Sequence, residues 1–303
     1  MPLPPDYLTY PNRHYGQDID RYDWRRSVDR PKMMWPNNKA VAALIIVPLE
    51  FFMLNPSGEP FKHPGAMVTP FPDLRHYTSR DYGNRVGVFR ILKALRAAGL
   101  RATFPVNAVL LEKKRPLIDA IRADGHEIAA YGWDTDSIHY GGIDSAIEAD
   151  YVAKTRAAFS AAGLNPRTWM SPARQQSEAT PDLIKAACFD VCLDWESDSV
   201  PWPMRTHHGP LTCVPVSNEL DDRKILIDQR QSEAEWRDQI LAARDLLVEE
   251  APRFGGQVLS FTLTPYVSGL PFRVWALLEV LTSLGGDANV WSATASEIAD
   301  ASS

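Results

Sequence analysis

Between residues 41 and 291, short apolar runs alternate with stretches of helical pattern, and this alternation restricts the possible folds more than any other feature of the chain. The runs cover residues 41–47, 102–106, 127–130, 168–171, 191–194, 211–216, 258–264 and 288–291. The first, Val-Ala-Ala-Leu-Ile-Ile-Val, contains no polar residue, which is expected of a strand covered on both faces. Between the runs, Val88, Leu92 and Leu95 form one helical face that stops at Gly99. Further helical patterns span 116–123, stopped by Gly125, and 143–162, stopped by Gly163. Another starts at Thr180-Pro181, with Thr180 as a good N-cap and the proline at N1; 232–250 opens on the capping pair Ser232 and Glu235; 271–284 ends at Gly285-Gly286. Parallel strands need crossover connections, and helices supply them, so the expected class is α/β with a mostly parallel sheet. About eight strands favour closure into a barrel over an open sheet.

The chain has 303 residues, 45% apolar and 23% charged, the balance of a soluble globular protein. Its net charge of -6 is spread along the sequence without a basic run, so nucleic acid is not an expected partner. No apolar run approaches the ~20 residues that span a bilayer, so no membrane is expected either. Cys188, Cys192 and Cys213 sit in or beside apolar runs with no metal spacing and read as buried reduced thiols. The opening residues lack the charged-then-apolar pattern of a secretory leader, which makes a cytoplasmic protein the expectation. Residues 1–38 carry Tyr7, Tyr10, Tyr15, Tyr22, Trp24 and Trp35, too many aromatics for a disordered tail. They are expected to form an arm that wraps the body (39–303) or a neighbouring subunit, and so to favour a homo-oligomer.

In barrels of this kind the chemistry gathers at the carboxyl ends of the strands. Those ends hold Glu50, Asn107, Tyr131 with Trp133, Asp134 and Asp136, Ser171 to Arg174, Asp194-Trp195 with Asp198, Ser217-Asn218-Glu219, and Thr264-Pro265-Tyr266. His139 follows the third run closely. A loop after Glu50, with Pro56, Gly58, Pro60, Pro64, Gly65, Pro70 and Pro72, has the length of a functional lid. Ser171 lacks the Gly-x-Ser-x-Gly turn of a serine nucleophile.

Four motifs are the most distinctive: Arg80-Asp81-Tyr82-Gly83-Asn84-Arg85-Val86-Gly87, Asp194-Trp195-Glu196-Ser197-Asp198, Ser217-Asn218-Glu219-Leu220-Asp221-Asp222, and Leu263-Thr264-Pro265-Tyr266 with Gly269-Leu270-Pro271. On these the chain resembles the polysaccharide deacetylase superfamily, in particular its intracellular branch of allantoinase-like and cyclic imide hydrolase-like proteins. The resemblance implies a distorted (β/α) barrel of seven or eight mostly parallel strands, and hydrolysis of amide-type C–N bonds. It also shows departures. Deacetylases of the family hold a divalent metal with an aspartate of the first motif and two histidines of the second. Here Glu50 stands for the first motif, Tyr131 and Thr135 stand at the histidine positions, and the late leucine-x-histidine motif reads Leu263-Thr264. Neither phenol nor hydroxyl is a good zinc ligand, so no cofactor is expected, unless Glu50, Asp134, Asp136 and His139 hold a divalent ion in a rearranged site.

Without a metal, attack on an amide needs a base for water and donors for the oxyanion. Glu50, Asp134, Asp136 and His139 are the candidate acid–base set. Arg80, Asp81, Asn84, Arg85, Tyr131, Trp133, Ser171, Asp194, Trp195, Asp198, Glu219, Thr264 and Tyr266 are the candidate substrate contacts. Each has a bland reading too: Glu50 pairing with an arginine, the aspartates as caps, His139 as loop packing, the aromatics as core. A small cyclic imide or ureide suits such a site, because its carbonyls are electrophilic and its ring nitrogen leaves readily. A metal-dependent N-deacetylase of acylated amino sugars and a degenerate ligand-binding protein are the alternatives.

Overall fold

The first strand, β1 (Val41–Ile46), is wholly buried and is flanked by strands on both sides. The structure, a computed structural model, describes residues 19–57 and 70–302. Tyr7, Tyr10 and Tyr15 of the arm, and Gly58, Pro60, Pro64 and Gly65 of the expected lid, lie outside the described residues.

The chain then runs through α1 (Leu74–Tyr82), α2 (Val88–Ala98), β2 (Thr103–Val106), α3 (Val109–Lys113), α4 (Arg115–Ala123), β3 (Glu127–Ala130) and α5 (Ser145–Ala161). It continues with β4 (Thr168–Trp169), α6 (Thr180–Ala186), β5 (Val191–Cys192), β6 (Trp202–Met204) and β7 (Leu211–Cys213). It closes with α7 (Glu233–Phe254), β8 (Gln257–Thr262), α8 (Val274–Gly285), β9 (Val290–Ala293) and α9 (Ala295–Ala301). The expected alternation is therefore present, with strand ends displaced by up to three residues. Helix α7 opens on the Ser232–Glu235 capping box, and α2 ends on Gly99 at φ 66°. Thr180 does not cap α6. Its hydroxyl reaches Glu148, and the Ser177 Oγ accepts from the Ala179 and Thr180 N–H groups instead. β6 and α9 were not legible. β6 has three residues, a central proline and a partly exposed face, so neither length nor period marked it.

The strands form a curled, mostly parallel half-barrel in the order β6-β7-β5-β4-β3-β2-β1-β8, with only β6 antiparallel. β9 pairs with Val41–Leu44 of β1, on the side where β2 meets β1 only at Ile46. Alternate residues of β1 serve two apolar layers, as the two-residue period of a strand requires. Val41, Ala43, Ile45 and Val47 meet helix residues such as Leu92, Leu95 and Leu277. Ala42, Leu44 and Ile46 meet Trp35, Val214, Val258 and Ile298.

No strand pairing joins β7 to β8. The gap is bridged near the carboxyl ends by the segment after β7: Ser217 N–H donates to Ser260 Oγ (2.8 Å), and Asp221 makes a parallel bridge with Thr262. That closure carries Asp221, Asp222 and Arg223 to the mouth of the barrel. The described part of the arm lies along the same chain. Arg21 ion-pairs with Asp182 (2.7 Å), Arg30 pairs with Asp198, and the Trp35 indole donates to the Gln257 carbonyl.

Candidate active site

The Arg80–Gly87 motif lies inside a helix and does not precede one. Asp73 caps α1 through the Arg75 and His76 N–H groups, and residues Gly83–Gly87 form a π-helical turn that runs straight into α2. The two glycines have a packing role. A Cβ at Gly87 would stand 2.0 Å from the Pro265 carbonyl oxygen, and one at Gly83 would stand 2.8 Å from the Tyr266 nitrogen. Their absence lets the helix lie against the end of β8. Asn84 is thereby held with its Nδ2 on the Glu50 carbonyl (2.8 Å), and the Arg80 guanidinium lies 5.3 Å from the Tyr266 ring and 5.9 Å from that of Phe52.

Glu50 follows β1 and is 5% exposed. Its Oε1 accepts from Arg223 Nη1 (3.1 Å) and makes a longer 3.5 Å contact with the Tyr131 hydroxyl, while its Oε2 accepts from the Tyr266 hydroxyl (3.1 Å). The backbone beside it is fixed by Asn107, whose Oδ1 accepts from Phe51 N–H (2.8 Å) and whose Nδ2 donates to the Tyr131 carbonyl. Burial, then the Glu50 charge, holds both phenols well above the ordinary tyrosine range, so each is a neutral donor. Burial works against the Arg223 cation, but Glu50, Tyr266 and Asp221 outweigh it and hold the guanidinium well above its ordinary value.

The Ala173 N–H acts weakly in the opposite sense on Tyr131, favouring its ionised form. Ala173 and Arg174 sit at φ 55° and 54°, a left-handed pair that costs side-chain-bearing residues roughly 1–3 kcal/mol each. Arg174 donates to the Val216 carbonyl and ties that turn to the segment that closes the barrel.

Arg223 and its neighbours belong to the candidate site and were missed by the sequence reading, although the motif ending at Asp222 was visible. Asp221 Oδ1 accepts from Arg223 N–H (2.8 Å), and Asp222 Oδ2 accepts from Thr264 N–H (2.7 Å) and from the Ser268 hydroxyl. Burial, reinforced by Asp221, pushes the Asp222 carboxyl up to about 7. The signal for Arg223 was its place one residue beyond the motif. Its partner, Glu50, is 173 residues away.

The fold brings together Glu50, Arg80, Asn84, Tyr131 and Tyr266, with Thr264 buried beside them and Asp81 on the same cleft. The other candidates have contacts elsewhere. Asp134 Oδ1 accepts from the Asp136 and Ser137 N–H groups in its own turn, and Asp136 accepts from Ser57. His139 is wholly buried with its Nδ1 3.0 Å from Glu148 Oε1, between Tyr151 and Trp169. Ser171 donates to Asp194, whose carboxyl burial pushes up, and Gln176 donates to Asp194 and accepts from the Trp195 indole. Asp198 serves Arg30 of the arm, Trp133 lies under Lys154, Glu219 is exposed, and Arg85 is an exposed partner of Asp81.

A cleft of about 200 Å³ opens over Glu50, lined also by Phe51, Phe52, Tyr77, Arg80, Asp81, Asn84, Lys113 and Lys114. The donor set there does not fit the divalent ion that the resemblance to deacetylases implies. A cation beside Glu50 would face a guanidinium already 3.1 Å from the same carboxylate, and the hydroxyls bonded to that carboxylate are neutral phenols. Among the described residues, no three His, Cys, Asp or Glu side chains form a metal-holding group. Nor is any helix among them long and apolar enough to cross a membrane.

Comparison with known proteins agrees with this architecture. The Polysaccharide deacetylase family model matches residues 75–191. A Schizosaccharomyces pombe protein named "Putative polysaccharide deacetylase" is 24% identical over 298 residues, covering 88% of this chain and 91% of its own. Among solved structures, Puue allantoinase superposes with a TM-score of 0.80 at 21% identity, over 92% of this chain and 97% of that one. A chain from Pseudomonas aeruginosa PAO1 that bears the polysaccharide deacetylase name superposes with a TM-score of 0.76 at 21% identity, over 91% and 97%. Family model, curated relative and solved structures agree in what this chain is similar to, the polysaccharide deacetylases.

Proposed function

We propose that this protein is a hydrolase of amide-type C–N bonds in a small cyclic imide or ureide, acting through Glu50 without the usual metal. The observation that carries the reading is Glu50 on the floor of a small cleft, bonded by two neutral phenols and one guanidinium. A carboxylate has about four lone-pair sites, so Oε2, with one donor, keeps room for a water proton. Water attacks the ring carbonyl carbon as Glu50 takes its proton, and the carbonyl π electrons move to oxygen. The carboxylate charge vanishes as the oxyanion forms, which leaves the Arg223 cation and the phenols to hold the new charge. Collapse of the intermediate breaks the C–N bond, and the proton passes from Glu50 to the ring nitrogen. The product is an open-chain acid that loses a proton to solvent.

A ring substrate accords with the small cleft and with the allantoinase name of one structural neighbour. Metal-stripped protein should hydrolyse at least one of succinimide, hydantoin, dihydrouracil or allantoin. Turnover confined to N-acetylglucosamine oligomers, and only after zinc, manganese or cobalt is added, would overturn the proposal. Tight binding of a ring without product would show a ligand-binding protein in its place.

A further inference from the structure

The chain is net negative at -6, but the cleft over Glu50 is not. Among the described residues its lining carries Arg80, Lys113 and Lys114 against Glu50 and Asp81. Both carboxylates are already compensated. Glu50 is paired with Arg223 (3.1 Å), and Asp81 is shared between Lys114 Nζ (3.6 Å) and Arg85 Nη1 (3.7 Å). Even with Asp221 counted as a second partner of Arg223 (3.7 Å), cations outnumber carboxylates around the opening among the described residues. The charge is graded with depth. Glu50 and Arg223 lie at the buried floor, Arg80 lies over the Tyr266 and Phe52 rings, and Lys113, exposed and 5.8 Å from the Phe51 ring, stands at the mouth beside the half-exposed Lys114. A neutral ring would make no use of the two lysines at the mouth, and positively lined clefts concentrate anions.

Resting on the hydrolase reading above, we propose that the substrate is an anionic ring: a cyclic imide or ureide that carries a carboxylate substituent. Lys113 and Lys114 hold that carboxylate at the mouth while a ring carbonyl lies over Glu50. Lys113 is the specificity-determining residue of the pair, because Lys114 is partly committed to Asp81.

Two matched pairs test this: hydantoin against hydantoin-5-acetate, and dihydrouracil against dihydroorotate. Binding is read by titration calorimetry and turnover by product formation, with wild type, Lys113→Gln and the Lys113→Gln/Lys114→Gln double variant. The anionic member of at least one pair should bind about tenfold more tightly than its neutral partner, the scale that two exposed ion pairs supply. That advantage should shrink in Lys113→Gln, collapse in the double variant, and weaken in about 0.3 M salt. Equal or better binding of the neutral rings, with turnover, would overturn the charge preference and leave the hydrolase reading standing. Preferential binding of the anionic rings without turnover would sustain the charge preference and sink the hydrolase reading. Absence of binding by either anionic ring would overturn the proposal.

Discussion

Arg223 Nη1 stands 3.1 Å from Glu50 Oε1, with both side chains largely withdrawn from water. Removing one partner of such a pair leaves a buried charge without compensation, which costs roughly 3–5 kcal/mol. Arg223→Met is therefore expected to lower the melting temperature sharply. Glu50→Gln keeps the shape, and Asp221, 3.7 Å from Arg223, still compensates the guanidinium; the variant should lose about 10²–10⁴-fold in kcat on the substrate found, with a smaller stability change. Full activity in Glu50→Gln would remove Glu50 as the base.

Gly87→Ala should destabilise the protein by about 1–3 kcal/mol, because the new Cβ would stand 2.0 Å from the Pro265 carbonyl oxygen, an overpacked backbone contact. The shift acts on the strand end that positions Tyr266, so activity should fall with stability. Denaturant unfolding of the variant, compared with Gly99→Ala, separates this clash from backbone strain. Gly99 has open space around its would-be Cβ but sits at φ 66°.

Asp222 gives the stability a pH dependence of definite sign. Its folded carboxyl titrates near 7, against an ordinary value of 3.8, so the folded state holds a proton that the unfolded chain has released between those limits. The Asp222 contribution is fully present below about pH 4 and is lost as pH rises to about 7, at roughly 1.4 kcal/mol per unit. Unfolding free energy should therefore fall more steeply across that window in wild type than in Asp222→Asn. Parallel profiles for the two would overturn the assignment.

Dialysis against a chelator should leave turnover unchanged, since the Glu50 carboxylate is neutralised by Arg223. Lost activity that returns with stoichiometric zinc would show that the guanidinium moves aside for a metal.

The sequence by itself determined eight of the nine described strands and the helices that cross between them. An unbroken apolar run such as 41–47 can be satisfied only when covered on both faces, and the glycine stops and the Ser232–Glu235 pair act within a few residues of where they are written. It also located Glu50, Tyr131 and Tyr266, because strand ends are where a parallel barrel opens. The helical setting of Arg80–Gly87 was not legible, since its two glycines argue locally against a helix and are explained only by Pro265 and Tyr266, far along the chain. His139 and Asp136 looked equal to Glu50 as written; only packing sent one to Glu148 and the other to Ser57. Arg223 was decided by tertiary structure alone: β7 and β8 do not pair, and the segment that bridges them sets a distant guanidinium beside Glu50. Local patterns encode elements because their forces act over a few residues, whereas a charge pair is created by closure of the sheet and leaves no periodic trace.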